Sequence, residues 1–181
     1  MRIWELNTLE VDFTSYYLPE SDKKDFFIEM MADINDESKH VDKWTPLVLL
    51  KKEQRIDPDF FDLYDTGALI TTEKGSALFE AFCNLENFQL LPFINDEQKF
   101  FLFHLIKATD CLDKDNSVFE LHENGIIADY ESLTFNYDAI KDPVFKIPEL
   151  PYTLFVTGDF KHYYDELELK GIDFDEEYMV I

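Results

Sequence analysis

The pair Asn124-Gly125 separates two apolar runs in the segment SVFELHENGIIADYESLTFN, which covers residues 117–136. Asn-Gly favours a tight turn whose central residues have positive φ, and apolar runs on both sides of such a pair are typical of a β-hairpin. A hairpin consists of two antiparallel strands. We therefore expect the sheet structure of this chain to be mostly antiparallel.

Three other segments carry apolar residues at the spacing of one helical face, which predicts three amphipathic helices. The first has Ser21 as its N-cap, the second begins near Thr72, and the third stops at Lys170-Gly171. Gly75 weakens the second helix by about 1 kcal/mol relative to alanine unless another group packs close against it. The expected apolar faces are Phe26, Phe27, Met30, Met31 and Ile34; Ala77, Leu78, Ala81 and Phe82; and Phe160, Tyr163, Tyr164 and Leu167.

The remaining apolar runs lie between turn signals and predict strands. These runs are WTPLVLLKKE, FFDLYDTGALITT with a turn at Asp65, Thr66 and Gly67, NFQLLPFI, KFFLFHLIKA, and the two segments on either side of the third helix. Helices and strands alternate along the chain without a linker or an internal repeat. The predicted fold class is therefore α+β, with a single domain over residues 1–181, a mostly antiparallel sheet and about three helices packed on it.

The chain is strongly acidic, with 39 acidic and 16 basic residues and a formal net charge of -23. The excess is spread over the length, with 19 acidic against 9 basic residues in 1–90 and 20 against 7 in the remainder. Such a field repels nucleic acid phosphates and anionic lipid headgroups and attracts a basic protein partner, although it is equally typical of plain solubility. The 18 phenylalanines indicate a packed interior, because disordered acidic tails lack aromatic residues.

Neither of the longest apolar runs can span a membrane as a helix. Residues 44–50 and 100–106 form runs of about seven residues, whereas a spanning helix needs about 20. The beginning of the sequence lacks the basic and apolar parts of an export signal. Cys83 and Cys111 do not have CxxC spacing, which is typical of free thiols in a reducing compartment. We expect a cytoplasmic protein.

The sequence offers no catalytic set. The four histidines are scattered and none has HExxH spacing. His104 alternates with phenylalanines in FFLFHLIK, which favours a core or sheet histidine over a catalytic base. The segment TTEKGSALF contains Lys74 and Gly75 but lacks the earlier glycine of a phosphate-binding loop, so a helix start is the preferred interpretation.

The segment KATDCLDKDNS, residues 107–117, has an acidic pattern that raises the question of a calcium site. Asp113, Asp115 and Ser117 occupy the first three ligand positions of a calcium loop. The sixth position is Val118 where the loop needs glycine, and the twelfth is Asn124 where it needs a bidentate glutamate. These two positions argue against calcium.

The same segment predicts that Cys111 is a poor nucleophile, because neighbouring carboxylates raise the pKa of a thiol. We expect residues 110–112 to end the preceding strand and to bury Cys111 as a small apolar residue. Residues 113–117 are then expected to form a turn through hydrogen bonds from side chains to the backbone.

A second acidic group closes the sequence in GIDFDEEYMVI. It comprises Asp173, Asp175, Glu176 and Glu177. Four carboxylates in five residues could bind a divalent metal, but on a solvated strand they more often prevent edge-to-edge aggregation. A patch that binds a partner is the remaining alternative.

The order of motifs in the C-terminal part of the chain matches a known pattern. An Asp-Cys-Leu-Asp segment is closed by a serine, and a Gly-Ile turn, a valine-containing strand, a helix and a GIxF ending follow. These motifs lie at residues 110–113, Ser117, Gly125 and Ile126, 133–135, 144–146, 155–157 and 171–174. In these motifs the chain resembles the bacterial immunity proteins of polymorphic-toxin systems, family eleven.

The resemblance is clearest over residues 107–177, looser over 59–82, and absent before about residue 45. Two positions depart from the family pattern. Thr72 stands where serine is common, and Lys146 replaces the usual arginine, which puts in doubt any bidentate contact made by that arginine.

The resemblance implies a protein that binds and neutralises a cognate toxin by occlusion, without a cofactor and without catalysis of its own. The acidic composition suits a basic toxin and argues against nucleic acid or membrane as a partner. As toxin contacts we predict Asp113, Asp115, Asp173, Asp175, Glu176 and Glu177. The alternative is an enzyme that uses an acidic cluster to bind Mg²⁺ or Ca²⁺.

Overall fold

The computed structural model of the chain describes residues 2–9, 12–19, 21–33, 44–53, 55–64, 66–174 and 177–180. The helices are α1 (Ser21–Asp33), α2 (Glu73–Phe82) and α3 (Gly158–Glu166). The strands are β1 (Ile3–Glu5), β2 (Asn7–Thr8), β3 (Tyr16–Tyr17), β4 (Leu50–Lys51), β5 (Phe60–Asp62), β6 (Leu69–Thr72), β7 (Phe88–Pro92), β8 (Phe100–Leu105), β9 (Val118–Leu121), β10 (Ile127–Ser132), β11 (Thr134–Phe135), β12 (Val144–Ile147), β13 (Leu150–Thr157), β14 (Ile172–Asp173) and β15 (Glu177–Val180). The α+β class is confirmed.

The described strands form two main sheets rather than one. The larger sheet has the order β11-β15-β1-β13-β12, and the smaller has the order β5-β6-β8-β7. All neighbours in these two sheets are antiparallel except β11 and β15. Three two-stranded pairs, β9 with β10, β14 with β2 and β3 with β4, lie beside them. The expected antiparallel character is therefore observed, with one parallel pair.

A middle core fills the space between the two main sheets. Trp4 and Val156 point into it from the larger sheet, and Phe103 points into it from the smaller sheet. Two helices complete it, since Phe79 of α2 stacks on Phe103 with ring centroids 3.9 Å apart and lies 6.0 Å from Phe160 of α3. Because side chains alternate along a strand, each sheet has a second apolar face that needs its own cover.

Two outer cores provide that cover. The α1 core packs Phe27, Met30 and Met31 of α1 on the outer face of the smaller sheet. The hairpin core packs Ile127 of β10 and its neighbours on the outer face of the larger sheet, beside Phe155. The molecule is thus a stack in which α1 covers one end and the β9–β10 hairpin covers the other.

The predicted helices are present, but the buried face of α2 differs from the expected one. The side chains of Ala77 and Ala81 are exposed, whereas Gly75 and Phe79 are buried. The cause is Gly75, which lies so close to β6 that an added Cβ would be 2.2 Å from Oγ1 of Thr71. Because of this close approach, the face of α2 that carries Gly75 packs against β6. In α1 the expected Phe26 is exposed, and Ile34 lies outside the described residues. In α3 the helix ends at Glu166, before the expected stop at Lys170-Gly171, and the expected Leu167 is exposed.

Two strand predictions also need correction. The β8 strand ends at Leu105, and residues 110–112 do not continue it. The chain leaves the smaller sheet there, because Thr109 donates its backbone N–H to the carbonyl oxygen of Lys146 in the larger sheet. In WTPLVLLKKE only residues 50–51 form a strand. The side chain of Leu50 is exposed, so one face of this strand is turned toward solvent.

None of the helices in the described part of the chain is both long and apolar enough to cross a membrane.

Candidate functional site

The turn at residues 113–117 is built around one carboxylate. Oδ1 of Asp113 accepts hydrogen bonds from the backbone N–H groups of Asp115 at 3.0 Å and Asn116 at 3.2 Å. Oδ2 accepts from Nδ2 of Asn116 at 2.8 Å, and the Ser117 hydroxyl donates to the Asp113 carbonyl at 2.6 Å. The predicted side-chain to backbone turn is confirmed. The hydrogen bond from the Asn116 side chain is the main cause that lowers the pKa of Asp113 below its ordinary 3.8.

Replacing Asp113 by alanine is expected to destabilise this turn at neutral pH. Because the folded-state pKa lies below the unfolded value, the carboxylate stabilises the fold above the unfolded pKa, and this contribution is lost as the pH falls through the folded pKa. Urea unfolding should therefore separate Asp113→Ala from the original protein at pH 7, and the difference should shrink as the pH falls through the folded-state pKa of Asp113. The control is Asp115→Ala, which removes an equal charge but leaves the Asp113 hydrogen bonds in place. Equal losses in both variants would contradict the assigned role of Asp113.

We call residues 113–132 the acidic hairpin, because they comprise this turn, β9, the Asn124-Gly125 turn and β10. The predicted hairpin is confirmed, with Gly125 at φ +83°. A two-stranded hairpin is barely stable alone, so its position depends on contacts with the larger sheet. Ile127 is buried in the hairpin core and donates its backbone N–H to the carbonyl oxygen of Glu149 at 2.8 Å.

A second attachment lies near the middle of the larger sheet. Oε2 of Glu5 accepts hydrogen bonds from the hydroxyl of Tyr130 on β10 at 3.0 Å and from that of Tyr178 on β15 at 2.8 Å. The two hydroxyl oxygens are 3.1 Å apart. One carboxylate on β1 thus joins the hairpin to β1 and β15 of the larger sheet.

The outer surface of the hairpin combines carboxylates with exposed apolar side chains. Residues 113–132 include six acidic residues and one basic residue, Lys114. The Lys114 ammonium is paired with a carboxylate oxygen of the largely buried Glu149 at 2.5 Å. Val118 and Leu121 on β9 are 54% and 52% exposed. The exposed acidic side chains are Asp115, Glu120, Glu123, Asp129 and Glu131. An acidic, partly apolar surface of this kind is suited to contact a basic protein.

Among the acidic residues near the end of the chain, Asp173 lies in a different pair of strands from the acidic hairpin. Asp173 lies on β14, opposite Asn7 of β2, whereas Asp113 donates its backbone N–H to Thr134 of β11. Glu177 begins β15, and Asp175 and Glu176 lie outside the described residues. Within the described part of the chain, no group of three or more His, Cys, Asp or Glu side chains is arranged to hold a metal ion.

Comparison with known proteins identifies the family. A search of curated proteins finds no match. Residues 87–178 match the family model described as Immunity protein family (Imm11). The chain belongs to the Imm11 immunity protein family. The match confirms the resemblance inferred from the motifs in residues 107–177, and it includes the whole acidic hairpin.

Both cysteine thiols of the Imm11 chain have raised pKa values, and Cys111 is buried. Burial raises the pKa of the Cys111 thiol to about 12, with further contributions from Asp110 and Glu149. Burial, followed by Asp142, raises the pKa of Cys83 to about 12 as well. A thiol with such a pKa is almost entirely protonated at neutral pH and is a weak nucleophile. His104 is buried in β8, as its sequence pattern predicted.

Sequence reasoning missed several residues of the surface that the hairpin presents. It selected the carboxylates of the turn and overlooked Glu120, Asp129 and Glu131, which alternate with more buried positions along β9 and β10. That alternation is a visible signal of an outward strand face. The Glu5 contact had no such signal, because the residues that it joins are more than 100 positions apart in the sequence.

Proposed function

We propose that this Imm11 protein binds a cognate bacterial toxin domain in the cytoplasm and neutralises it by occlusion, and that the acidic hairpin is its main contact surface. The observation that carries the proposal is the attached hairpin, which presents five exposed acidic residues together with Val118 and Leu121 inside the matched range. A standard protein interface buries about 1,200 to 2,000 Å² in total, so the toxin would also cover neighbouring surface. No cofactor is required for binding.

The proposed contacts include Asp113 and Asp115 on the hairpin. Asp113 contributes through its charge and by holding the turn that positions Asp115. Asp173 and the acidic residues 175–177 belong to the proposal as a second set of contacts, of which Asp173 lies on β14. A basic toxin would be drawn toward both sets by long-range attraction, which accelerates association and weakens with salt.

The decisive experiment co-expresses the protein with the toxin encoded beside its gene in a susceptible bacterium. Survival should require this protein, and the two chains should purify as one complex. Death of the cells despite well-expressed, folded protein would reject the immunity function. Occlusion further predicts that toxin released from the complex by mild denaturation and refolding keeps its original mass and regains full activity. A lasting mass change on the toxin would indicate enzymatic modification instead.

The role of the hairpin is tested by reversing charges at two exposed sites. Glu120→Lys with Glu131→Lys should slow association with the toxin about tenfold or more at low salt. The matched control is Glu80→Lys with Asp96→Lys, which changes the net charge equally at exposed sites outside the hairpin. Stopped-flow mixing over a range of salt concentrations measures both rates. Equal slowing in the two variants would show that net charge matters and the hairpin does not.

A further inference from the structure

A cleft lies between α3 and the segment that links β11 to β12. This segment, residues 136–143, crosses the end of the larger sheet from one edge strand to the other. The cleft has a volume of about 320 Å³. That volume is at the lower end of the range for ligand pockets and suits one long side chain better than a cofactor. Most of its lining residues fall within the Imm11 match, and the acidic hairpin does not contribute to it.

Aromatic rings form part of the cleft wall. Phe82 at the end of α2 stacks on Tyr163 of α3, with ring centroids 3.6 Å apart and ring planes at 16°. The Phe82 side chain nevertheless remains 37% exposed. Tyr137 contributes a third ring from the opposite wall. Aromatic faces that line an accessible cleft can bind a cation through their negative electrostatic potential.

Two carboxylates complete the wall. The Asp142 carboxylate is held in place by the backbone N–H of Asn84 at 2.9 Å and by Nδ2 of Asn87 at 2.6 Å. Asp159 is exposed in the first turn of α3, and its charge contributes, after burial, to the raised pKa of Tyr137. The charge of Asp159 therefore lies close enough to influence the ionisation of Tyr137 across the cleft.

Lys141 is the basic residue among those lining the cleft, and its ammonium is hydrogen-bonded within its own turn. The Lys141 ammonium donates a hydrogen bond to the carbonyl oxygen of Asp138 at 2.5 Å. Two carboxylates and three aromatic rings thus face the cleft together with one ammonium that already has a hydrogen-bond acceptor. The combination favours a positively charged group that is planar, because a planar group can stack on a ring and pair with a carboxylate at once.

We propose that this cleft binds an arginine side chain of a basic partner protein, with the guanidinium against the aromatic rings and paired with Asp159 and Asp142. The inference rests on the proposed function, since the toxin is the partner that would supply the arginine. It adds a second contact, separate from the acidic hairpin. Arginine suits the cleft better than lysine, because only the guanidinium is flat and offers paired donors to a carboxylate.

The test is an NMR titration of the full chain with Nα-acetyl-arginine amide. Saturable binding in the millimolar range is expected, with the largest shifts at Tyr137, Tyr163 and the first turn of α3. The citrulline analogue has nearly the same shape and no charge, and it should bind at least about threefold more weakly. The lysine analogue should also bind more weakly than arginine.

Two variants localise the binding. Asp159→Asn should weaken arginine binding about threefold or more, whereas Asp138→Asn, an exposed neighbour outside the cleft lining, should leave it unchanged. Equal binding of arginine and citrulline, tighter binding of lysine, or shifts centred on the acidic hairpin would overturn the inference. If the cleft binds arginine but the protein does not protect cells from the toxin, the proposed function is rejected and the arginine site is retained. If the protein protects cells but the cleft does not bind arginine, the arginine site is rejected and the proposed function is retained.

Discussion

Replacing Gly171 by alanine is expected to lower the free energy of unfolding by about 3 kcal/mol or more. Gly171 has φ +106°, which an alanine adopts only with strain. An added Cβ would also lie 2.0 Å from the carbonyl oxygen of Phe60 and 3.1 Å from Cβ of Pro58. Relief would require the backbone of β5 to move away. Urea unfolding at pH 7 measures the loss.

This effect is large because Gly171 lies where the end of the chain joins the smaller sheet. The carbonyl oxygen of Lys170 accepts hydrogen bonds from the backbone N–H groups of Asp59 at 2.9 Å and Phe60 at 3.0 Å. A displaced Gly171 would strain both bonds. The control is Gly125→Ala, which has a similar φ of +83° but no heavy atom within 4 Å of the added Cβ. Its expected cost is about 1 kcal/mol, from the backbone alone. Equal costs at the two positions would contradict the steric explanation.

Replacing Phe135 by alanine is expected to cost about 3 to 5 kcal/mol. Its side chain is fully buried in the hairpin core, and its ring lies 5.0 Å from that of Phe155 and 5.9 Å from that of Tyr178. The cavity left behind would be bordered by the larger sheet, whose backbone hydrogen bonds prevent it from collapsing. Urea unfolding measures the change, and the same variant should expose the hairpin to faster proteolysis.

Phe26→Ala is the matched control, since it removes the same atoms from a side chain that is 42% exposed on α1. Its cost is expected to remain below about 1 kcal/mol, because little apolar area is lost and alanine favours the helix. A loss at Phe135 as small as that at Phe26 would show that the hairpin core collapses around the cavity.

Local features were predictable from the sequence because they depend on residues a few positions apart. The hairpin follows from Asn124-Gly125 and its flanking runs, and the start of α2 follows from Thr72, whose hydroxyl accepts the backbone N–H of Gly75 at 3.2 Å. The turn at residues 113–117 belongs to the same class. Each of these features is decided by one side chain and its near neighbours.

The arrangement of the strands was not predictable in this way. The pairing of β1 with β13 joins Ile3 to Thr157, and nothing in the local pattern of either segment specifies the other. The buried face of α2 was mispredicted for a related reason, since it depends on how closely Gly75 approaches Thr71. The acidic hairpin was predictable only in part. Its turn was predictable from the sequence, whereas its attachment through Glu5 was not.

The position of β1 between β13 and β15 determines when the larger sheet can form during synthesis. Ile3 pairs with Thr157 on one side and Tyr178 on the other, so β1 must wait for strands made about 150 residues later. At ribosomal rates of about 5 to 20 residues per second, that interval is roughly 10 to 30 s. Glu5 at the end of this strand joins the acidic hairpin to β15, so this attachment forms only after β15 has been synthesised.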